Sequence, residues 1–170
     1  MAKQSRLPSF RKGDSALADP DRGPVLTARF IVALVLMVAG IAWLVYTYWG
    51  VRPEGGWDAI DPETGETLAA GGPKFVADLE MWNYLIGFGA FFVGLIISAH
   101  PSTPLGRGRG VVGAMLACFL IGLVWICVYY IFMTGTTPTD IPIFNDLGNK
   151  NLFVGIGFMA VGFAFATRWE

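Results

Sequence analysis

Four stretches of the chain contain no Asp, Glu, Lys or Arg, and charge-bearing polar segments separate them: Phe30 to Trp49, Met81 to Ala99, Val111 to Thr134 and Asn151 to Thr167. In lipid the backbone must satisfy its own hydrogen bonds, so an apolar run of about 20 residues crosses as a helix. The pattern predicts an all-α membrane protein with four transmembrane helices, the fourth being the shortest. The connecting segments set its divisions: a tail over 1–29, a first two-helix unit over 30–99 with an outer loop over 50–80, a linker over 100–110, and a second unit over 111–170 with an outer loop over 135–150.

A second pattern repeats within the first. Asp78-Leu79 is followed by Asn83, Gly87, Gly89, Val93 and Gly94, and Asp146-Leu147 by Asn151, Gly155, Gly157, Val161 and Gly162, each pair 68 residues apart. Gly40 and Trp43 match Gly122 and Trp125 at a spacing of 82, so the difference of 14 residues falls in the first outer loop as an insertion. These spacings read as an internal duplication, giving two tandem helical hairpins. The repeat is parallel, because each unit crosses the membrane an even number of times. Helical positions i, i+4, i+7 and i+11 share one narrow face. Asn83, Gly87, Ala90 and Gly94 form one stripe, and Asn151, Gly155, Phe158 and Gly162 another. Small residues with one amide suit close helix packing in lipid, where no hydrophobic force draws helices together. Both asparagines are expected to face protein and to hydrogen-bond across the seam.

Composition agrees with a membrane protein: 54% hydrophobic, 15% charged and a mean hydropathy of +0.55. Charge assigns the sides. Lys3, Arg6, Arg11, Lys12, Arg22, Arg29, Arg107, Arg109 and Arg168 fall on one side of a four-span chain, which by the positive-inside bias puts both termini in the cytoplasm. The tail, with Pro8, Pro20 and Pro24 and few apolar residues, is expected to be disordered. The first span ends in Tyr46, Tyr48 and Trp49 and has no small-residue cleavage site, so it reads as retained rather than as a signal peptide. In the acidic first outer loop, Asp61-Pro62-Glu63-Thr64-Gly65 predicts a small β-hairpin with Gly65 in the left-handed position and Ile60 and Leu68 on short strands.

Candidate chemistry changes the picture little. His100 precedes Pro101 at a helix end with no acid beside it, and Gly106-Arg107-Gly108-Arg109-Gly110 has neither the strand nor the Lys-Ser/Thr that a phosphate loop requires. It reads instead as a basic turn near anionic lipid. Cys118 and Cys127 lie on one helix, too far apart to bridge, and read as packing residues. The spans carry no central charge of the kind that ion-coupled transporters keep. No metal site, cofactor, nucleic acid or small-molecule substrate is implied, and the chain is not expected to be an enzyme.

The basic tail, Gly40-x-x-Trp43, the Asp78-Leu79-x-x-Trp82-Asn83-Tyr84 sequence, the glycine-rich second span and the closing Thr167-Arg168-Trp169 together resemble the CrgA family of actinobacterial cell-division membrane proteins. Members are usually short, with two spans, and this chain resembles two such units fused, over roughly residues 25–100 and 108–170. The first unit keeps Trp82-Asn83-Tyr84 but ends in Ser98-Ala99-His100. The second keeps Thr167-Arg168-Trp169 but has Lys150-Asn151-Leu152. The resemblance implies a non-enzymatic membrane adaptor that coordinates septum formation and septal peptidoglycan synthesis. Its implied partners are the lipid bilayer, the tubulin-like division ring and septal peptidoglycan synthesis proteins, and its implied location is the inner (plasma) membrane with septal enrichment. The candidate helix-packing and partner-contact residues are Gly40, Trp43, Trp82, Asn83, Tyr84, Gly87, Gly94, Gly122, Trp125, Asn151, Gly155, Gly162, Arg168 and Trp169. The rival expectation is an accessory subunit of a respiratory or other energy-converting membrane complex, where small multi-span proteins without cofactor ligands also serve.

Overall fold

The structure is a computed structural model, described here for residues 26–133 and 141–168. The basic tail before Leu26, the start of the second outer loop and Trp169 lie outside the described residues. Thr27 opens the first helix, α1 (Ala28–Tyr46), by accepting a hydrogen bond from the Phe30 amide at 3.2 Å. A hydroxyl there satisfies one of the amide donors that every helix start leaves open. A π turn, Thr47–Val51, continues α1 until Arg52, which is extended because Pro53 follows it. After the first loop come a short helix α2 (Lys74–Ala77) and α3 (Trp82–Ser98). Next is α4 (Arg109–Val128), which also runs into a π turn, Tyr129–Met133. The chain ends with α5 (Phe144–Leu147), a 3-10 turn Gly148–Lys150, and α6 (Asn151–Ala166).

Counted with their adjoining turns, Ala28–Val51, Arg109–Met133 and Phe144–Ala166 are long and apolar enough to cross a membrane. The remaining apolar helix, α3, has 17 residues, about 25 Å of helix against a hydrocarbon core of about 30 Å. α6 itself, with 16 residues, is the shortest of the four apolar helices. It reaches membrane-spanning length because α5 and the 3-10 turn join it without a gap, whereas residues 78–81 separate α2 from α3.

The helices pack in two antiparallel pairs, α1 with α3 and α4 with α6, and the pairs meet where α3 touches α6. Glycine sets the distance within each pair. A Cβ on Gly40 would stand 2.6 Å from the Gly87 carbonyl oxygen, and one on Gly122 would stand 2.6 Å from that of Gly155. Farther along, a Cβ on Gly94 would meet the Ala33 carbonyl and the Met37 side chain at 2.7 Å, while Gly162 accommodates the Phe119 ring. Aromatic rings fill the space between the pairs. Phe92 meets Phe158 edge to face at 5.0 Å, Phe88 meets Trp125 at 5.7 Å, and Phe92 also lies over Gly157, where a Cβ would come within 2.6 Å of its ring. The sequence reading missed this aromatic contact.

The β-hairpin expected in the first loop does not form strands. Ile60 pairs with Thr67 in a single antiparallel bridge, with Leu68 N–H bonded to the Ala59 carbonyl at 2.9 Å. The turn itself has the predicted chemistry: Asp61 accepts from the Glu63 amide at 2.8 Å, and Gly65 has φ 72°. With no sheet to lie against, a two-stranded ribbon this short has nothing to extend it.

Candidate functional site

One cluster of buried polar side chains lies where the loops over 52–81 and 141–150 enter α3 and α6. Asn83, the second residue of α3, and Asn151, the first of α6, are fully buried. The Asn83 Nδ2 donates to the carbonyls of Val76 at 2.8 Å and Glu80 at 3.0 Å, and the Asn151 Nδ2 donates to those of Phe144 and Gly148, both at 2.8 Å. The acceptors are carbonyls of the short lead-in segments, each of which also accepts a backbone N–H, so the asparagine amide adds a second donor at each. At the same point the backbone takes a positive φ, 44° at Glu80 and 47° at Gly148. The asparagine amides therefore tie each loop down onto the helix that follows it, and neither bonds across a helix seam through its NH2 as the sequence suggested. The side-chain oxygens differ. That of Asn151 accepts from the Trp125 indole on α4 at 3.2 Å, while the Asn83 oxygen and the Trp43 indole nitrogen are both buried without a partner.

A second polar group joins the two hairpins. The Asp146 carboxylate, 2% exposed, accepts from Arg52 Nε at 2.6 Å and from the Tyr84 hydroxyl. Arg52 also places its guanidinium 4.9 Å from the centre of the Tyr48 ring, within cation–π range. Burial disfavours the Arg52 charge, but the hydrogen bond and charge of Asp146 outweigh it and hold the guanidinium pKa above its usual value. Arg52, from the loop after α1, and Tyr84, from α3, thus converge on one carboxylate of α5. Gly56 permits the approach: a Cβ there would stand 3.2 Å from Asp146 Oδ1.

Beside this group, α3 and α6 leave a groove of about 400 Å³ lined chiefly by Met81, Trp82, Leu85, Phe88, Phe153 and Val154, with Lys150 at its rim. The Lys150 ammonium lies 3.0 Å from the Met81 sulfur. Gly89 faces this space with nothing within 4 Å of a Cβ.

Among the sequence-derived candidates, Gly40, Gly87 and Gly94 lie between α1 and α3, and Gly122, Gly155 and Gly162 between α4 and α6. Trp125 stacks on Phe144 at 4.3 Å and bonds Asn151, while Trp43 is half-buried near Tyr46 at 6.0 Å. Trp82 is exposed and Tyr84 is buried in the clasp with Asp146. Arg168 lies at the opposite end of the helices beside Arg29 and His100, and Trp169 falls outside the described residues. Sequence reasoning missed Arg52 and the role of Asp146. The available signal was that Asp146 belongs to the repeated Asp-Leu pair, and that Arg52 is one of only two basic residues in an acidic loop.

These observations define a mainly helical protein, without strands among its described residues, three of whose helices have the length and apolarity of membrane spans. The family model for the cell division protein CrgA matches residues 4–100 and again 104–170, and the chain belongs to that family. A Streptomyces avermitilis cell division protein CrgA is 46% identical over 66 residues, which is 39% of this chain and 71% of that protein. The same-named protein of Corynebacterium glutamicum strain R is 29% identical over 68 residues, covering 40% of this chain and 54% of the relative. No solved structure matches.

Proposed function

We propose that this chain is a non-enzymatic membrane adaptor of the cell-division machinery, built as a tandem duplication of a two-span unit. The observation that carries the reading is the double match of one family model, to residues 4–100 and to residues 104–170. Geometry supports it. Equivalent positions 68 apart make the same bonds (Asn83 to Val76, Asn151 to Phe144), and positions 82 apart make the same glycine contacts (Gly40 on Gly87, Gly122 on Gly155). The π turns Thr47–Val51 and Tyr129–Met133 also lie 82 apart. On this reading α3 is the fourth membrane-crossing helix, held in a locally thinned or tilted arrangement by its partner α1. Both termini are cytoplasmic, the Arg52–Asp146–Tyr84 group lies at the outer face, and the clasp joins the two units into one body.

Family membership and the lack of charge in the apolar spans support the adaptor role. Its partners are division-ring components on the cytoplasmic side and septal peptidoglycan synthesis proteins, with α3 and α6 offering helix faces for contact. A fluorescent fusion expressed at native level tests the reading. Enrichment at the septum during division is expected, and a signal spread evenly around the cell membrane throughout the cycle would overturn it.

A further inference from the structure

At the end of the molecule opposite the polar clasp, three basic side chains from three different elements surround one apolar groove. Arg29 comes from the first turn of α1, His100 follows α3, and Arg168 follows α6. They line a space of about 450 Å³ with Ala28, Val32, Ile96 and Ile97. Val32 and Ile96 are each about half exposed, so the groove opens sideways, toward the position of lipid tails around a membrane helix.

Among the described residues, the side chains that line this groove are basic or apolar, with no carboxylate. Arg29 Nη1 lies 2.5 Å from His100 Nε2, and His100 Nδ1 lies 2.9 Å from the Ser102 hydroxyl, so the ring is held between the first turn of α1 and the turn after α3. Among the described residues the charges acting on the imidazole are both cationic, Arg29 and Arg168; desolvation, the larger cause, and these charges hold its pKa below the usual value. Such a cluster is completed by an anion with several acceptor oxygens. Guanidinium groups match phosphate in geometry as well as charge.

We infer that Arg29, His100 and Arg168 form a binding site for the phosphate headgroup of an anionic phospholipid, whose acyl chain lies along Val32, Ile96 and Ile97. The apolar floor selects a lipid over a free ion, because only a lipid covers it. A basic membrane face attracts anionic lipid generally, but this site predicts a preference that belongs to three named residues and not to net charge.

Native mass spectrometry of the purified full chain, released from detergent after titration with dioleoyl phosphatidylglycerol or dioleoyl phosphatidylcholine, reads that preference. One phosphatidylglycerol is expected to be retained at a concentration about tenfold below that needed for phosphatidylcholine. R29Q/R168Q is expected to abolish the difference, and R29K/R168K to keep most of it. R107Q/R109Q, which removes the same charge from the neighbouring link, is expected to leave it unchanged. Should R29Q/R168Q not fold, V32W fills the groove without changing charge and is expected to lower phosphatidylglycerol retention. Equal retention of the two lipids, equal losses in R29Q/R168Q and R107Q/R109Q, or displacement of the lipid by inorganic phosphate at equal concentration would each overturn the site.

Discussion

The Trp125 indole donates to the Asn151 side-chain oxygen at 3.2 Å, whereas Trp43 and Asn83, at the matching positions of the first hairpin, leave the same two atoms buried and unpaired. A hydrogen bond of this kind contributes about 1 kcal/mol net, and a buried donor without a partner costs a similar amount. Trp125→Phe is therefore expected to destabilise the protein by about 1 kcal/mol beyond the loss of ring area. Trp43→Phe, which removes an unpaired donor, is expected to be nearly neutral. Unfolding titrations in mixed micelles compare the two directly. Equal losses for both substitutions would show that the Asn151 bond contributes nothing.

The clasp predicts strong coupling. Asp146 is buried and carries both Arg52 and Tyr84, so Asp146→Ala strands a guanidinium and a hydroxyl together. Breaking one side of a buried ion pair costs on the order of 3 kcal/mol, less here to the extent that water reaches Arg52. Removing both charged partners in R52A/D146A is expected to cost less than the sum of the single changes, because neither charge is then left alone. Additive losses in the same unfolding assay would mean that the pair is not formed.

How much of this was readable beforehand depended on sequence distance. Positions of the long helices follow from uninterrupted apolar runs, and the seam glycines follow from the i, i+4, i+7 spacing, since both signals are local to one helix. The Gly65 turn was readable for the same reason: its geometry is specified by five consecutive residues. The clasp was not, because Arg52 and Asp146 are 94 residues apart and meet only after two loops have folded against α3. Nor did periodicity reveal that Phe92 would use Gly157, since both helices are apolar on every side and mark no single inward face. The asparagines were half readable. Their burial is a property of the stripe they begin, but their bonds go to carbonyls that the backbone turns at Glu80 and Gly148 bring beside them, which no helical pattern records.

The glycines divide into two kinds, and alanine scanning is expected to separate them. At Gly40 and Gly122 the added methyl meets backbone oxygen at 2.6 Å, which cannot move without parting the helices. Gly40→Ala and Gly122→Ala are each expected to cost about 1–3 kcal/mol by overpacking. Gly89 and Gly113 have nothing within 4 Å. Gly89→Ala and Gly113→Ala are expected to match or slightly exceed the parent, since alanine is the better helix former. Melting temperatures of the four variants in one detergent give the test, and a loss at Gly113 as large as that at Gly40 would contradict the seam geometry.

His100 makes stability depend on pH with a defined sign. Desolvation first, then the charges of Arg29 and Arg168, lower its pKa in the folded protein relative to the unfolded chain. Between the two values the unfolded state binds more protons, so stability rises with pH there. The contribution is fully present above the ordinary imidazole range and is lost as pH falls through the depressed folded value. Below that value both states are protonated and the dependence from this residue ends. A nuclear magnetic resonance titration of the ring in micelles is expected to place its midpoint below that of a histidine in a short peptide under the same conditions. His100→Gln is expected to flatten the fall in unfolding midpoint between neutral and mildly acidic pH, and R29Q/R168Q to bring the ring back toward its ordinary value. A ring that titrates at or above the peptide value in the parent protein would show that the two guanidiniums do not converge on it.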